Sequence, residues 1–379
     1  MPRVAVAGCL AAFALIGALA SVYGPLIPFL QARYGVPRST AGSVLSAHFS
    51  GSLAGVVWTA WAARRLRGRA FLVPALASIA VGGVLLAAAP RWWVVLAGAA
   101  AAGFGSGILD FGLNRLFAQN FGARKGAMLN VLNALYGVGA VAGPLIVAAT
   151  AARHARWIFV GTALLAACVA PSMALVRVGG AAPDRPVPDR PGRARLPPGL
   201  GLFIAAYLLY MGVEAGIGGW EPTHLKAVGF SAASAASATS VFWLCLTAGR
   251  FGVAAVALRV SARRIVLVSA VASVVALGVA LRAPLAPYGY AAAGLTLAPI
   301  FPTGLAWLAQ TRPDSDDAVA YLLAAVMLGG AVFPLGTGWI IQRAGAAATP
   351  AVLGALALGC AAAFTMIPAG AGSARAGRS

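Results

Sequence analysis

The sequence predicts an all-α polytopic membrane protein with twelve transmembrane helices in two pseudo-symmetric six-helix bundles. The first reason is composition: 61% of the residues are hydrophobic and 9% are charged, whereas a soluble domain carries about 25% charged residues. The second is length, because apolar runs recur that could each cross about 30 Å of hydrocarbon. The third is a single polar stretch that separates six such runs from the other six.

The twelve spans follow one another with short connections. They are expected at residues 4–30, 40–62, 71–89, 92–118, 127–150, 156–176, 199–219, 232–258, 265–283, 286–309, 318–342 and 347–368. This gives an N-terminal bundle at 1–176, a C-terminal bundle at 199–370 and a tail at 371–379. Residues 177–198 are rich in Pro, Arg and Gly, which is typical of a linker.

The two halves resemble each other locally. FGLNRLFAQ ends the fourth span at 111–119, and FPTGLAWLAQ ends the tenth at 301–310. GAVAGPL in the fifth span is echoed by GAVFPL in the eleventh. Such echoes in the same order predict a duplicated bundle with a binding site near the bilayer midplane between the halves.

The basic residues predict orientation rather than a nucleic-acid partner. The formal charge is +20, but Lys and Arg lie mainly in the short loops. With the N-terminus inside, 18 of the 28 lie on the inner side, 8 on the outer side and 2 within spans. The positive-inside rule then puts both termini in the cytoplasm. We expect a monomer in a bacterial inner membrane, with the bilayer as its surroundings and no nucleic acid bound.

Several motifs of other protein classes are missing from the sequence. The four cysteines are isolated within apolar runs, so no disulfide framework is indicated. Neither Lys125 nor Lys226 follows a glycine, which excludes a Walker A motif. No zinc-ligand spacing occurs. We therefore expect no enzymatic activity, no cofactor and no metal, with an ion gradient as the source of energy.

Polar residues in the fourth and fifth spans form the first candidate site. Asp110 and Asn114 share one face of a helix, and Asn130 and Asn133 share a face of the next. A charge at the centre of a membrane helix costs about 2.5–3.5 kcal/mol, so it must face protein or water. A carboxylate with three amides could exchange a proton while it binds hydroxyl groups. Alternatively, Asp110 only holds helix ends together through Arg115 or a loop arginine.

The second candidate site lies in the seventh and eighth spans. Tyr207, Tyr210 and Glu214 share one face at i, i+3 and i+7, which suits a protonation switch beside aromatic rings. Alternatively, Glu214 lies in water at the outer mouth. Trp243 and Arg250 share a face of the eighth span. Arg250 could pair with a carboxylate, meet an anionic substrate or reach the inner surface.

Four further polar or aromatic positions lie outside these two candidate sites. His48 lies among serines in the second span, as a titrating group or as a packing residue. Trp307 is either a site residue or part of the interfacial aromatic belt. Glu221 and His224 follow the seventh predicted span, so Glu221 is expected outside the membrane and His224 in a loop.

Twelve spans, the six-plus-six repeat and a basic central loop resemble the major facilitator superfamily. The segment from Ala63 to Arg69 is similar to the end of that family's loop motif, and the stretch from Gly139 to Pro144 resembles an antiporter Gly-Pro motif. A finer resemblance is to fucose–proton symporters and sodium-dependent glucose transporter-like proteins. It rests on Gly103-x-Gly105-x-Gly107-x-x-Asp110-x-Gly112-x-Asn114, on Asn130-x-x-Asn133, and on Glu214 with Trp220.

The residues and this resemblance together predict a secondary transporter that works by alternating access. We expect proton-coupled symport of a sugar or similar small polar solute, with sodium as the other candidate ion. Asp110, Glu214 and His48 are the coupling candidates. The substrate-binding candidates are Asn114, Asn130, Asn133, Tyr207, Tyr210, Trp220, Trp243, Arg250 and Trp307. The alternative is a proton antiporter that exports drugs or other amphipathic compounds.

Overall fold

The computed structural model describes residues 2–62, 69–150, 154–176, 199–311 and 316–368. These residues form helices joined by short turns, with no strand among them. The chain divides into two compact units, Met1–Ala194 and Arg195–Ser379. Nearly all of the predicted loop motif, the predicted linker and the tail lie outside the described residues.

The N-terminal unit contains six long helices, numbered here by predicted span. They are α1 (Arg3–Tyr34), α2 (Ser43–Ala62), α3 (Arg69–Ala88), α4 (Trp92–Asn120), α5 (Lys125–Thr150) and α6 (Ala155–Ala174). Gly35 ends α1 in the left-handed conformation, at φ 63°, which glycine adopts without a steric penalty. A four-residue helix, Arg38–Ala41, precedes α2, and a 3-10 turn, Gly122–Arg124, joins α4 to α5.

The C-terminal unit repeats this number of spans. They are α7 (Leu200–Ala227), α8 (Ala232–Val256), α9 (Ala262–Val279), α10 (Ala286–Leu297 and Ile300–Thr311), α11 (Asp316–Ala344) and α12 (Thr349–Thr365). Ser231 caps α8 by accepting a hydrogen bond from the Ser234 N–H at 3.1 Å. Helix α10 is interrupted at Ala298 and Pro299, since proline cannot donate the helical hydrogen bond.

The helices of the two units pair in the same pattern. In the first unit α1 packs on α5, α2 on α4 and α3 on α6. In the second unit α7 packs on α11, α8 on α10 and α9 on α12. Adding six to each helix number of the first unit therefore gives the second, which is the internal repeat that the sequence echoes indicated.

Glycines bring the paired helices into backbone contact. On the α2–α4 pair, a Cβ atom at any of four glycines would collide with a backbone carbonyl oxygen of the other helix. These positions are Gly51, Gly55, Gly103 and Gly107. The equivalent α8–α10 pair has the same feature at Gly294, which faces the Phe242 carbonyl. Small residues allow this approach in membrane helix pairs, where packing drives association.

Eleven helical segments of the described chain are long and apolar enough to cross a membrane. Helix α2, with 20 residues, is not among them, because serines, glycines and His48 reduce its hydropathy. One boundary differs in a way that matters for the site. Helix α7 was expected to end at residue 219 but continues to Ala227, and the whole length is one candidate span. Glu221 and His224 therefore lie inside a helix, and the expectation that His224 lies in a loop is wrong.

Candidate functional site

A chain of hydrogen bonds joins α4 to α5 in the N-terminal unit. The amide of Asn114 donates to the Oδ1 of Asp110 at 3.0 Å and to its backbone carbonyl at 2.9 Å. The amide of Asn133 donates to the Oδ1 of Asn114 at 3.5 Å and to the Leu129 carbonyl at 2.9 Å. Asp110 is thus the acceptor at the end of a relay of two amides, and the exposed end of that relay is Asn133.

Asn130 and His48 are not part of this relay. Asn130 is exposed one turn before Asn133, and none of the hydrogen bonds between described residues joins it to the other three polar groups. His48 packs against α4 at Gly103, seven residues before Asp110 and about 10 Å along the helix axis. Its ring is buried beside Tyr23, with centroids 5.2 Å apart, and its Nδ1 has no hydrogen-bond partner among the described residues.

A second constellation lies within the C-terminal unit, between α7 and α8. Arg250 Nη2 lies 3.4 Å from Glu214 Oε2, and Tyr210 donates its hydroxyl hydrogen to the same oxygen. Glu214 is 7% exposed, so this carboxylate is neutralised inside the unit rather than by water. Of the alternatives for Arg250, pairing with a carboxylate is the arrangement that the structure contains.

Trp243 is the neighbour of this constellation on α8. A Cβ added to Gly218 would lie 2.9 Å from Cζ2 of its indole ring. Gly218 is four residues beyond Glu214, on the same face of α7. The indole is 6% exposed, and its Nε1 is without a hydrogen-bond partner in the described part of the chain. Trp243 thus places an unused donor one turn from the Glu214–Arg250 pair.

The other aromatic candidates are engaged in packing. Trp220 is fully buried and donates from Nε1 to the Pro334 carbonyl of α11 at 3.0 Å. Tyr207 donates to the Phe301 carbonyl at 2.8 Å, next to the break in α10. Trp307 packs edge-on against Phe203, with centroids 4.9 Å apart. Of these three, Tyr207 lies beside the constellation, because its ring centroid is 6.3 Å from that of Tyr210. The binding role of all three stays a prediction.

Sequence reasoning missed a second buried carboxylate on α7. Glu221 is fully buried, seven residues after Glu214 and therefore on the same face of the helix. Thr239 of α8 and Tyr290 of α10 are its polar neighbours. Tyr290 is hydrogen-bonded to His224 Nδ1 at 3.0 Å. The spacing of Glu214 and Glu221 was the available signal, and placing the end of the span at residue 219 concealed it.

Solved structures with the same fold are membrane transporters. The nucleoside transporter NupG is 12% identical, with a TM-score of 0.76 over 96% of this chain and 98% of that one. The inward-open xylose transporter XylE from E. coli is 10% identical, with a TM-score of 0.79 over 96% of this chain and 95% of that one. A D-xylose-proton symporter is 13% identical, with a TM-score of 0.74 over 96% and 97%. At these identities the likeness shows the fold alone.

No curated protein matches the chain. The model of the Major Facilitator Superfamily matches residues 9–292, about three quarters of the length. The match agrees with the twelve helices and with the helix pairing that is repeated within each unit. The chain is a multi-span membrane protein that belongs to the Major Facilitator Superfamily of transporters.

Proposed function

We propose that this transporter carries a sugar or similar small polar solute by proton-coupled symport and alternating access. The observation that carries the proposal is the Asn133–Asn114–Asp110 relay. Amides present both donors and acceptors, which suits a solute rich in hydroxyl groups. A carboxylate at the end of the relay supplies a group that can take up and release a proton.

The Glu214–Arg250 pair supports the same proposal from the C-terminal unit. A proton on Glu214 would remove the charge with which Arg250 pairs, and the guanidinium would then be released to other partners. Protonation and a rearrangement of side chains are coupled in this way. Asp110 and Glu214 are therefore the two candidate proton carriers, with Na+ as the alternative coupling ion.

The names of the structural neighbours fit a polar solute. Two of them are a xylose transporter and a D-xylose-proton symporter, and a third is a nucleoside transporter. For this chain we propose a solute of the sugar class, with a nucleoside as the related alternative. We further propose that the protein acts as a monomer in a bacterial inner membrane with both termini in the cytoplasm, as the distribution of Lys and Arg predicts.

The test is uptake of radiolabelled glucose, fucose, xylose and uridine by proteoliposomes, with and without an inward proton gradient. Asp110→Asn and Glu214→Gln are compared with the wild type. Thr296→Val serves as the matched control, because the hydroxyl of Thr296 donates only to carbonyls of its own helix. We expect gradient-driven uptake of one of these solutes in the wild type and the control, and its loss in at least one carboxyl variant.

The second candidate function is proton-coupled export of amphipathic compounds. The observation that favours it is the aromatic cluster of the C-terminal unit, in which Trp307, Phe203 and Phe364 lie within 6.5 Å of one another by ring centroids. If the vesicles accumulate none of the polar solutes but move a lipophilic cation against a proton gradient, export replaces import as the function.

A further inference from the structure

The carboxyl group of Glu221 is a buried titratable group that belongs to neither of the two constellations described above. The residue has no exposed surface, and neither Oε1 nor Oε2 has a hydrogen-bond partner among the described residues. Glu221 lies about 10 Å along α7 from Glu214, and the Trp243 ring at Gly218 lies between the two levels. It is therefore separate from the Glu214–Arg250 pair.

The two polar neighbours of Glu221 are both engaged in hydrogen bonds with other groups. The Thr239 hydroxyl donates to the Ala235 carbonyl at 3.3 Å. The Tyr290 hydroxyl is engaged with His224 Nδ1 at 3.0 Å. The oxygen of Thr239 keeps free lone pairs and can accept a hydrogen bond. Thr239 thus offers an acceptor for a carboxylic acid O–H, while no hydrogen bond between described residues reaches either oxygen of Glu221.

No cation on the neighbouring helices replaces those missing donors. Arg250 of α8 is paired with Glu214. Lys226 at the end of α7, Arg282 before α10 and Arg343 at the end of α11 are all exposed. Arg343 lies 3.6 Å over the ring of Trp339. Helix α12 contains no charged residue. The titratable groups that face Glu221 are therefore Tyr290 and His224, which are already bonded to each other.

An ionised carboxylate in such a place would be strongly disfavoured, because burial removes its hydration and no hydrogen bond replaces it. A neutral carboxylic acid avoids most of that cost. Among the described residues, no group of three or more His, Cys, Asp or Glu side chains could hold a metal ion there. A bound proton is the cation that this geometry accommodates.

We propose that Glu221 is a proton-binding site in the C-terminal unit, additional to Asp110 and Glu214. In the state that the structure shows, the carboxyl group carries the proton, and the oxygen of Thr239 is the nearby acceptor towards which the O–H can turn. On release, the O–H bond of the acid breaks, the proton passes to water, and the carboxylate remains. Release thus requires water to reach Glu221, so the proton is held whenever this part of the unit is dry.

The assignment of the proton does not depend on the proposed function, but its use in transport does. The experiment is therefore infrared spectroscopy of the purified full-length protein in lipid nanodiscs at neutral pH, in which a neutral carboxylic acid gives a carbonyl stretch separate from that of a carboxylate. We compare the wild type with Glu221→Gln, and use Glu214→Gln and Asp110→Asn as controls. We expect a carboxylic acid band that disappears only in Glu221→Gln.

A second measurement keeps the result clear if the spectra are crowded. Glutamine has the shape of the neutral acid, so Glu221→Gln should melt within a few degrees of the wild type. Sodium should change the melting temperatures of the wild type and of Glu221→Gln by the same amount. If Glu221→Gln leaves the infrared spectrum unchanged, or if sodium raises the melting temperature of the wild type but not of Glu221→Gln, the proton assignment is wrong. If the carboxylic acid band is present but the vesicles take up no solute, the proposed function is rejected and the assignment of the proton to Glu221 stands.

Discussion

Arg250 and Glu214 form an ion pair between α8 and α7, with Nη2 and Oε2 3.4 Å apart. The carboxylate is almost fully buried, whereas the guanidinium side chain is 35% exposed. Removal of the Arg250 cation should therefore destabilise the protein mainly because the buried carboxylate of Glu214 is left without its partner. Arg250→Gln should lower the free energy of unfolding by about 1–2 kcal/mol, less than for a fully buried pair, because water weakens this one.

The measurement is thermal unfolding in detergent of Arg250→Gln, Glu214→Gln and the double variant. The double variant should recover part of the loss, because it no longer contains an unpaired buried carboxylate. A coupling energy of about 0.5 kcal/mol or more is expected for groups in contact. Strictly additive losses would show that the pair contributes nothing in the folded protein.

Asn114 is the link that connects Asp110 to Asn133. Asn114→Leu removes both amide hydrogen bonds of the relay, so we expect the KM for the transported solute to rise about tenfold, which corresponds to about 1.4 kcal/mol. Asn130→Leu should raise the KM less, because Asn130 does not bond to the relay. Equal effects of the two variants in the uptake assay would contradict a specific role for the relay.

Gly218 is the position at which α7 makes room for the Trp243 ring. Gly218→Ala places a Cβ 2.9 Å from that ring, so the indole must move. Such overpacking costs about 1–3 kcal/mol. Gly336→Ala on α11 is the matched control, since its Cβ would meet nothing within 4 Å. We expect the melting temperature to fall in the first variant and to stay close to the wild type in the control.

Substitutions of Trp220 and Trp243 can distinguish a tryptophan that stabilises the fold from one that binds solute. Trp220→Phe removes the hydrogen bond to the Pro334 carbonyl and should cost about 0.5–1.5 kcal/mol of stability. Trp243→Phe removes a donor that has no partner among the described residues, so its cost in stability should be smaller. We expect Trp243→Phe to change the KM for solute more than Trp220→Phe does. The reverse order would assign the binding role to Trp220.

Most of the fold could be predicted, because each membrane helix appears in the sequence as an apolar run long enough to cross the bilayer. The twelve spans followed from apolar length, their repeat from the similar segments in the two halves, and the contact between Asp110 and Asn114 from their i, i+4 spacing on one helix. The partner of Arg250 did not, because a contact between α7 and α8 depends on how the helices rotate against each other, and three alternatives had to stay open. The length of α7 was missed for a different reason: about 20 residues before Glu221 already satisfied the criterion for a span, and Glu221 looked like the start of a loop.

The glycines between α2 and α4 limit how this protein can change in the course of evolution. Each of the four faces a carbonyl oxygen that belongs to the main chain, which no substitution elsewhere can remove. In a saturation mutagenesis library, Gly51, Gly55, Gly103 and Gly107 should therefore reject even alanine. Variants with a new solute preference should arise at side chains such as Asn133 or Trp243. The contact surface between α2 and α4 should stay unchanged, because a substitution on either helix disrupts the packing of both.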